Sequence, residues 1–357
     1  MGGCAVSRVT IFDVAREAKV SESTVSRVLN GTARVSQLKR QAVDRAIEAL
    51  GFQPNAFARG LATGRSRAVG VVTQAIDSPF YGEGMRGIEQ TLLANEYTPI
   101  FISGNWSSDD EERCIRELMQ RQVDGVILFA GRLGAAKIES FAGQLPVVVT
   151  GKTVHAKGVF SLAIDDAGGA RLATRHLIEL GHQRIAFISG PRDHPDALAR
   201  LKGYRTALDE AGISFAEALV APGNFLEEGG RVAGHQLLDR GEVFTAVVCA
   251  NDQTAFGLQL ALFHRGLLVP DDISVVGFDD LSSSAYFLPP LTTVRQPIFE
   301  MGVLSAQALL LMLELRTPTM NAPPVSLVVR ESTRALHRPS RSARTRRAAW
   351  GLADTPR

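Results

Sequence analysis

Glu22, Ser23, Ser26 and Arg27 fall within six positions and form a polar set suited to hydrogen bonding with base edges. A guanidinium holds guanine O6 and N7 as a bidentate pair, worth roughly 1–3 kcal/mol of discrimination between bases. Thr10, Ser21, Thr24, Arg34 and Lys39 surround that set. Their side chains are of the kinds that hold phosphates, which fixes register without reading sequence. A second polar set stands just past short apolar runs: Asp77 to Tyr81 with Phe80 among them, Asn105-Trp106, a loop reaching Arg200, Asn251-Asp252, and Phe278-Asp279-Asp280. Carboxylates and amides take hydroxyls in pairs and aromatic rings cover C–H faces, so a cleft of this kind suits a sugar.

The carboxylate pairs Asp165-Asp166 and Asp279-Asp280 raise acid–base catalysis as a rival. Adjacent residues usually point in different directions, however. No Ser-His-Asp, metal or phosphate-loop motif is present, so neither an enzyme nor a cofactor is expected. Cys4, Cys114 and Cys249 are odd in number and far apart, which fits neither a disulfide framework nor a metal site. Met1–Val9 has no apolar stretch of the kind a secretory signal carries, and no apolar run reaches membrane-spanning length. The expected location is the cytoplasm, at the nucleoid.

The elements that must position the first set are short helices. Thr10 is an N-cap candidate before Ile11–Ala18, and Ser21 another before Glu22–Asn30, with Asn30-Gly31 as a stop. A third helix is predicted from about Ser36 to Leu50, closed by Gly51. Ala15, Val20 and Val25 allow the first two helices to cross steeply, which is the helix-turn-helix arrangement. In it the start of the second helix enters the major groove.

From Ala68 onward, apolar β-branched runs alternate with amphipathic segments. The runs are Val69–Thr73, Pro99–Ser103, Gly125–Phe129, Val147–Thr150, Arg184–Ser189, Ala246–Ala250 and Ser274–Gly277, and Val325–Val329 also reads as a strand. The alternation predicts parallel sheets covered on both faces. There are too many runs for one compact sheet, so two doubly wound lobes are expected. The cut falls near Ile164-Asp165, and Phe299–Leu315 returns to the first lobe. In such sheets ligands bind beyond the carboxyl ends of the strands.

The net charge of +2 conceals a partition. Positions 1–65 carry ten Lys/Arg against five Asp/Glu, and positions 334–357 carry seven Arg against Asp354, leaving −9 for the rest. A basic head on an acidic body is the pattern of a chain with one polyanion-binding module.

Thr10-Ile11-Phe12-Asp13-Val14-Ala15, then Val20 through Gly31, then Gly51-Phe52-Gln53-Pro54-Asn55 and Ala58-Arg59-Gly60-Leu61 closely resemble the signature of the LacI/GalR family of repressors. Gly181 to Ala186, Ala250-Asn251-Asp252, Ile273–Asp280 and Pro289 to Val294 resemble further blocks of that family. The resemblance runs from about Arg8 to Leu336. It departs at Lys19, where the family commonly has Gly; a left-handed backbone there costs of order 1 kcal/mol.

The resemblance implies a helix-turn-helix head (8–54), a hinge helix and linker (55–66), and a two-lobed periplasmic-binding-protein-like core (67–336); the Arg/Ser/Ala-rich composition beyond it reads as a basic disordered tail (337–357). It gives Leu61 the role of a minor-groove wedge with Asn55 and Ala58 beside it, which is physically sound because an apolar wedge unstacks and bends a base step. It also matches Arg200, Asn251 and Asp279 to effector-binding positions and Phe225 to an aromatic of the pocket. The implied partners are operator DNA, a second copy of the chain and a small molecule, with no membrane. A sugar inducer is favoured over a purine-like corepressor; a cytosolic sugar-binding protein is the remote alternative.

Several of these residues have local rivals. Asp252 competes as a helix N-cap, Asp165 as a backbone-bonding residue at the crossover, His182 as a packing residue, and Tyr81 and Trp106 as lobe packing.

Overall fold

The computed structural model describes residues 9–30, 35–52 and 65–336. The hinge positions Asn55, Ala58 and Leu61, the phosphate candidate Arg34 and the basic tail lie outside them.

The head is three helices: α1 (Ile11–Glu17), α2 (Glu22–Asn30) and α3 (Gln37–Leu50). Thr10 and Asp13 close a reciprocal capping box at α1: the Thr10 amide donates to Asp13 Oδ2 at 3.0 Å and the Asp13 amide to Thr10 Oγ1 at 3.4 Å. Ser21 Oγ accepts the Thr24 amide at 3.3 Å, which starts α2. Lys19 sits in the turn at φ 53°, the left-handed conformation its position called for, and Gly51 ends α3 at φ 59°. Val14, Ala15, Val25, Val43 and Ala46 are buried where the helices cross.

The first lobe is a parallel sheet in the order β2-β1-β3-β4-β5. Its strands are β1 (Ala68–Thr73), β2 (Thr98–Ser103), β3 (Gly125–Leu128), β4 (Val147–Thr150) and β5 (Val159–Leu162). Successive residues point to opposite faces. Val72, Val126, Leu128 and Val149 meet α5 (Ser108–Gln120) and α6 (Ala135–Ala142) on one side. Val71, Ile127, Phe129 and Val148 meet α4 (Pro79–Ala94) and α11 (Ile298–Leu313) on the other. The return helix of the sequence reading is therefore α11.

The second lobe holds β6 (Ile185–Ser189), β7 (Val220–Pro222), β8 (Ala246–Cys249), β9 (Ser274–Asp279), β10 (Thr292–Arg295) and β11 (Ser326–Val328), ordered β11-β10-β9-β8-β6-β7. Only β11 is antiparallel to its neighbour. Helices α7 (Asp166–Glu179) and α8 (Pro195–Glu210) cover one face, α9 (Glu227–Asp239) and α10 (Asp252–His264) the other. At the α9–α10 crossing a Cβ on Gly257 would lie 1.8 Å from the Glu227 carbonyl oxygen.

Two contacts tie the lobes together away from the chain crossovers. Arg132 bonds Asp193 at 2.6 Å, and the Trp106 ring meets the His194 ring edge-on at 4.4 Å between centroids. Trp106 is thus lobe packing, while Tyr81 faces the cavity described below. Burial, helped by the positive charges of Arg200 and Arg132, pushes the His194 imidazole from its ordinary 6.5 down to about 4.

Two predictions follow from this packing. Gly257→Ala should lower unfolding free energy by about 1–3 kcal/mol through overpacking, seen as a lower urea midpoint at unchanged slope; an unchanged midpoint would mean the helices separate freely. His194 takes its proton first in the unfolded chain, because its folded pKa is depressed. Its contribution is therefore complete above about pH 6.5 and is lost as pH falls toward 4. Over that window the wild type should lose up to roughly 3 kcal/mol more stability than His194→Gln. Half-buried His176 and buried His182 are shifted in the same direction, so a reduced slope remains in the variant. Identical pH profiles would refute the assignment.

Candidate functional site

On the head, α2 presents Glu22, Ser23 and Arg27 to solvent, with Ser26 partly covered and Val25 buried behind them. This is the division a groove-reading helix needs: its apolar side fixes it on α1 and α3, and its polar side is left open. Arg27 makes no ion pair among the described residues. Lys39, near the start of α3, is exposed as well. The hydroxyls of Thr10 and Ser21 are engaged locally. Thr10 Oγ1 donates to Asp13 Oδ2 at 2.7 Å, and Ser21 Oγ lies 2.9 Å from both Ser23 Oγ and Thr24 Oγ1.

In the core, Arg200 on α8 gathers the strand ends. Its Nε donates to Asp166 Oδ1 at 2.8 Å, and Nη2 lies 2.7 Å from the same oxygen. Nη1 donates to the Ala250 carbonyl at 2.6 Å and lies 3.8 Å from Asp279 Oδ1. The guanidinium plane sits 3.9 Å over the Phe278 ring and 5.6 Å from that of Phe225. All three charged side chains are buried. Asp279 also accepts from Gln296 Nε2 at 2.8 Å. Burial pushes both carboxyls above the usual range, and Arg200 draws them back.

Asn251 caps α10: its Oδ1 accepts the Thr254 amide at 3.0 Å and the Thr254 hydroxyl at 2.6 Å. Its Nδ2 donates to the Phe225 carbonyl at 2.8 Å, holding Phe225 at φ 67°. Four of the predicted residues, Arg200, Phe225, Asn251 and Asp279, thus form one connected group. Beside it lies a partly open cavity between the lobes, lined by Phe80, Tyr81, Asp166, Asp196, Gln296 and Met301 among others. Phe80 joins the group from the first lobe. Asp77 is exposed on the β1–α4 loop and does not line the cavity.

Some local roles differ from the sequence reading. Asp252 is not the N-cap, since Asn251 holds that place. Asp252 is instead fully buried and accepts from the Leu281 amide (2.8 Å), Ser284 Oγ (2.6 Å) and Thr293 Oγ1 (2.5 Å). Burial lifts its carboxyl to about 6. Asp165 does cap α7, accepting the Gly168 amide at 2.8 Å. His182 bonds Thr245 Oγ1 and the Arg334 carbonyl, which is packing.

The carboxylate pairs diverge as adjacent residues should. Asp279 turns to Arg200 and Gln296, whereas Asp280 turns to Arg295 and Arg330, each at 2.6 Å. Asp166, Asp196 and Gln296 are site residues that the reading missed as such. Asp166 and Gln296 follow β5 and β10, runs not read as strands from the sequence, and Asp196 lies in the first turn of a helix. Among the described residues no group of His, Cys, Asp or Glu is placed to hold a metal, and no helix is long and apolar enough to cross a membrane.

Comparison with known proteins agrees with both halves of this architecture. Residues 10–55 match the model "Bacterial regulatory proteins, lacI family", and residues 174–333 match "Periplasmic binding protein-like domain". Catabolite control protein A of Priestia megaterium is 36% identical over 303 residues, covering 84% of this chain and 91% of the relative. The HTH-type transcriptional regulator GalR of Escherichia coli is 39% identical over 299 residues, covering 84% and 87%. Among solved structures, the Lac repressor dimer bound to operator and the anti-inducer ONPF superposes with a TM-score of 0.83 at 30% identity, over 92% of this chain and all of that one. The transcriptional regulator CelR–cellobiose complex gives 0.68 at 35% identity, over 91% of this chain and all of that one. With a helix-turn-helix head, a two-lobed cleft and this degree of identity over most of its length, the chain belongs to the lacI family of bacterial regulatory proteins.

Proposed function

We propose that this regulator is a repressor that binds a pseudo-palindromic operator as a homodimer in the cytoplasm and is released by a sugar inducer. The observation that carries the reading is the buried Arg200–Asp166–Asp279 cluster beside a cavity between the lobes, in the same chain as an exposed reading helix. Carboxylates, an amide and aromatic rings at one cavity provide what polyol recognition needs. On the DNA side, Glu22, Ser23, Ser26 and Arg27 read base edges, while Ser21, Thr24, Arg34 and Lys39 hold the backbone. The segment with Asn55, Ala58 and Leu61 serves as a hinge in the minor groove.

The mechanism is a population shift. Asp166 opens α7 just after the first crossover, and Gln296 lies in the second. A ligand that reorganises this cluster therefore moves the segments joining the lobes and, through the first lobe, the hinges. A coupling free energy of roughly 1–3 kcal/mol changes operator affinity about 5–150-fold.

Three measurements test this. With an operator selected from random duplexes, Leu61→Ala should weaken binding tenfold or more, about 1.4 kcal/mol, and reduce DNA bending; unchanged affinity and bending would remove the hinge role. Arg200→Lys keeps a cation but loses the planar fork, so operator release by the inducer should disappear while operator binding persists. A normal response would count against the cleft. A thermal-shift panel of sugars and purine bases separates the two effector logics, because a purine response without a sugar response would make the chain a corepressed regulator.

A further inference from the structure

We propose that the cleft accepts uncharged sugars and rejects phosphorylated and other anionic ones, and that Asp196 sets this preference. The inference rests on the sugar reading above and specifies the charge of the ligand.

The cavity region holds three carboxylates, Asp166, Asp196 and Asp279, against Arg200 and Lys152, with Arg132 farther along the same interface and bonded to Asp193. Both Arg200 and Lys152 already have partners. Arg200 is already bonded to Asp166 and to the Ala250 carbonyl. Lys152 donates to the carbonyls of Gly131 at 3.0 Å and Leu133 at 2.6 Å.

Helix N-termini are the other usual seats for phosphate, and three of them are closed by side chains. Asp165 caps α7, His194 caps α8 and Asn251 caps α10. Two others, α4 (first residue Pro79) and α11 (first residue Ile298, after Pro297), start at the cavity without a side-chain cap, and at each a proline removes one amide N–H from the first turn.

Asp196 differs from the other two carboxylates. Asp166 is paired with Arg200 and Asp279 with Gln296, whereas no hydrogen bond to the Asp196 carboxylate is present among the described residues. Its nearest basic atom is His194 Nδ1 at 3.9 Å, and that nitrogen accepts the Asp196 amide at 3.2 Å, so it carries no proton to give. Asp196 therefore faces the cavity as an open acceptor. Tyr81 stands opposite, close enough to Asp196, Asp279 and Asp166 that they and its burial keep its hydroxyl protonated. A sugar hydroxyl donates to a carboxylate and accepts from a phenol in one group. A phosphate oxygen ionised at neutral pH has no proton to donate to Asp196 and adds charge to an already anionic wall.

The test is a thermal-shift titration of the full chain with D-glucose, D-galactose, D-ribose and cellobiose, beside their phosphate monoesters and the matching uronic acids. The expected result is stabilisation by at least one uncharged sugar, with its charged counterparts at least tenfold weaker. Asp196→Asn should shrink that ratio to about threefold or less, and Asp196→Ser provides a second variant should the first lose its own melting transition. A charged derivative binding as tightly as its parent would overturn the inference while leaving sugar sensing intact. Discrimination undiminished in both variants would overturn the role of Asp196. No response to any carbohydrate would overturn the sugar reading itself.

Discussion

A buried guanidinium among carboxylates is expensive to desolvate, and Arg200 is 5% exposed with Asp166 at 8% and Asp279 at 7%. The cost is offset by the partners around it: two nitrogens on Asp166, one on the Ala250 carbonyl, and the ring of Phe278 beneath the plane. These partners come from the start of α7, the end of β8 and the end of β9. One side chain of α8 thus fixes three chain segments where the sheet ends and the cavity begins. Apolar packing would hold the same elements together at less electrostatic cost, but it would leave no polar surface for a ligand to bind.

The same cluster explains how occupancy can reach beyond the second lobe. Asp166 follows β5 by four residues, and Gln296, bonded to Asp279, follows β10 by one. Both belong to segments that cross between lobes. Arg132–Asp193 and Trp106–His194 add contacts farther along the same interface. The lobes are therefore joined by charged and aromatic pairs rather than by a continuous apolar core. Such an interface permits two discrete arrangements without unfolding either lobe.

Much of this was legible in the sequence because the physics is local. Strands buried on both faces must be apolar at nearly every position, so Gly125–Leu128 and Ala246–Cys249 stand out. The head is legible because its caps are short-range hydrogen bonds, as at Thr10 with Asp13. The edge strands β5 and β7 were not legible: Val159–Leu162 is short and interrupted by Ser161, and Val220–Pro222 ends in a proline. Asn251 and Asp252 are both good caps by residue type. Only the tertiary partners Leu281, Ser284 and Thr293 decide that Asn251 caps while Asp252 is drawn inward. Asp196 escaped for a related reason. It lies in the first turn of a helix, where an acidic residue usually serves the helix dipole, and only the facing lobe turns that position into part of a cleft.

The charge partition acquires a physical meaning on this architecture. Non-specific attraction to DNA grows with the number of phosphates a protein neutralises. A core as basic as the head would hold DNA whatever the state of the reading helices, and a ligand could then release little. With the body carrying most of the negative charge, it contributes repulsion rather than affinity. The excess positive charge lies in the head rather than in the body. Control by a small molecule requires that concentration, because an effector can shift operator affinity only by the difference it makes between two states. An acidic sensing body is also consistent with an uncharged ligand, since the carboxylates Asp166, Asp196 and Asp279 at its cleft outnumber the cations Arg200 and Lys152 beside them.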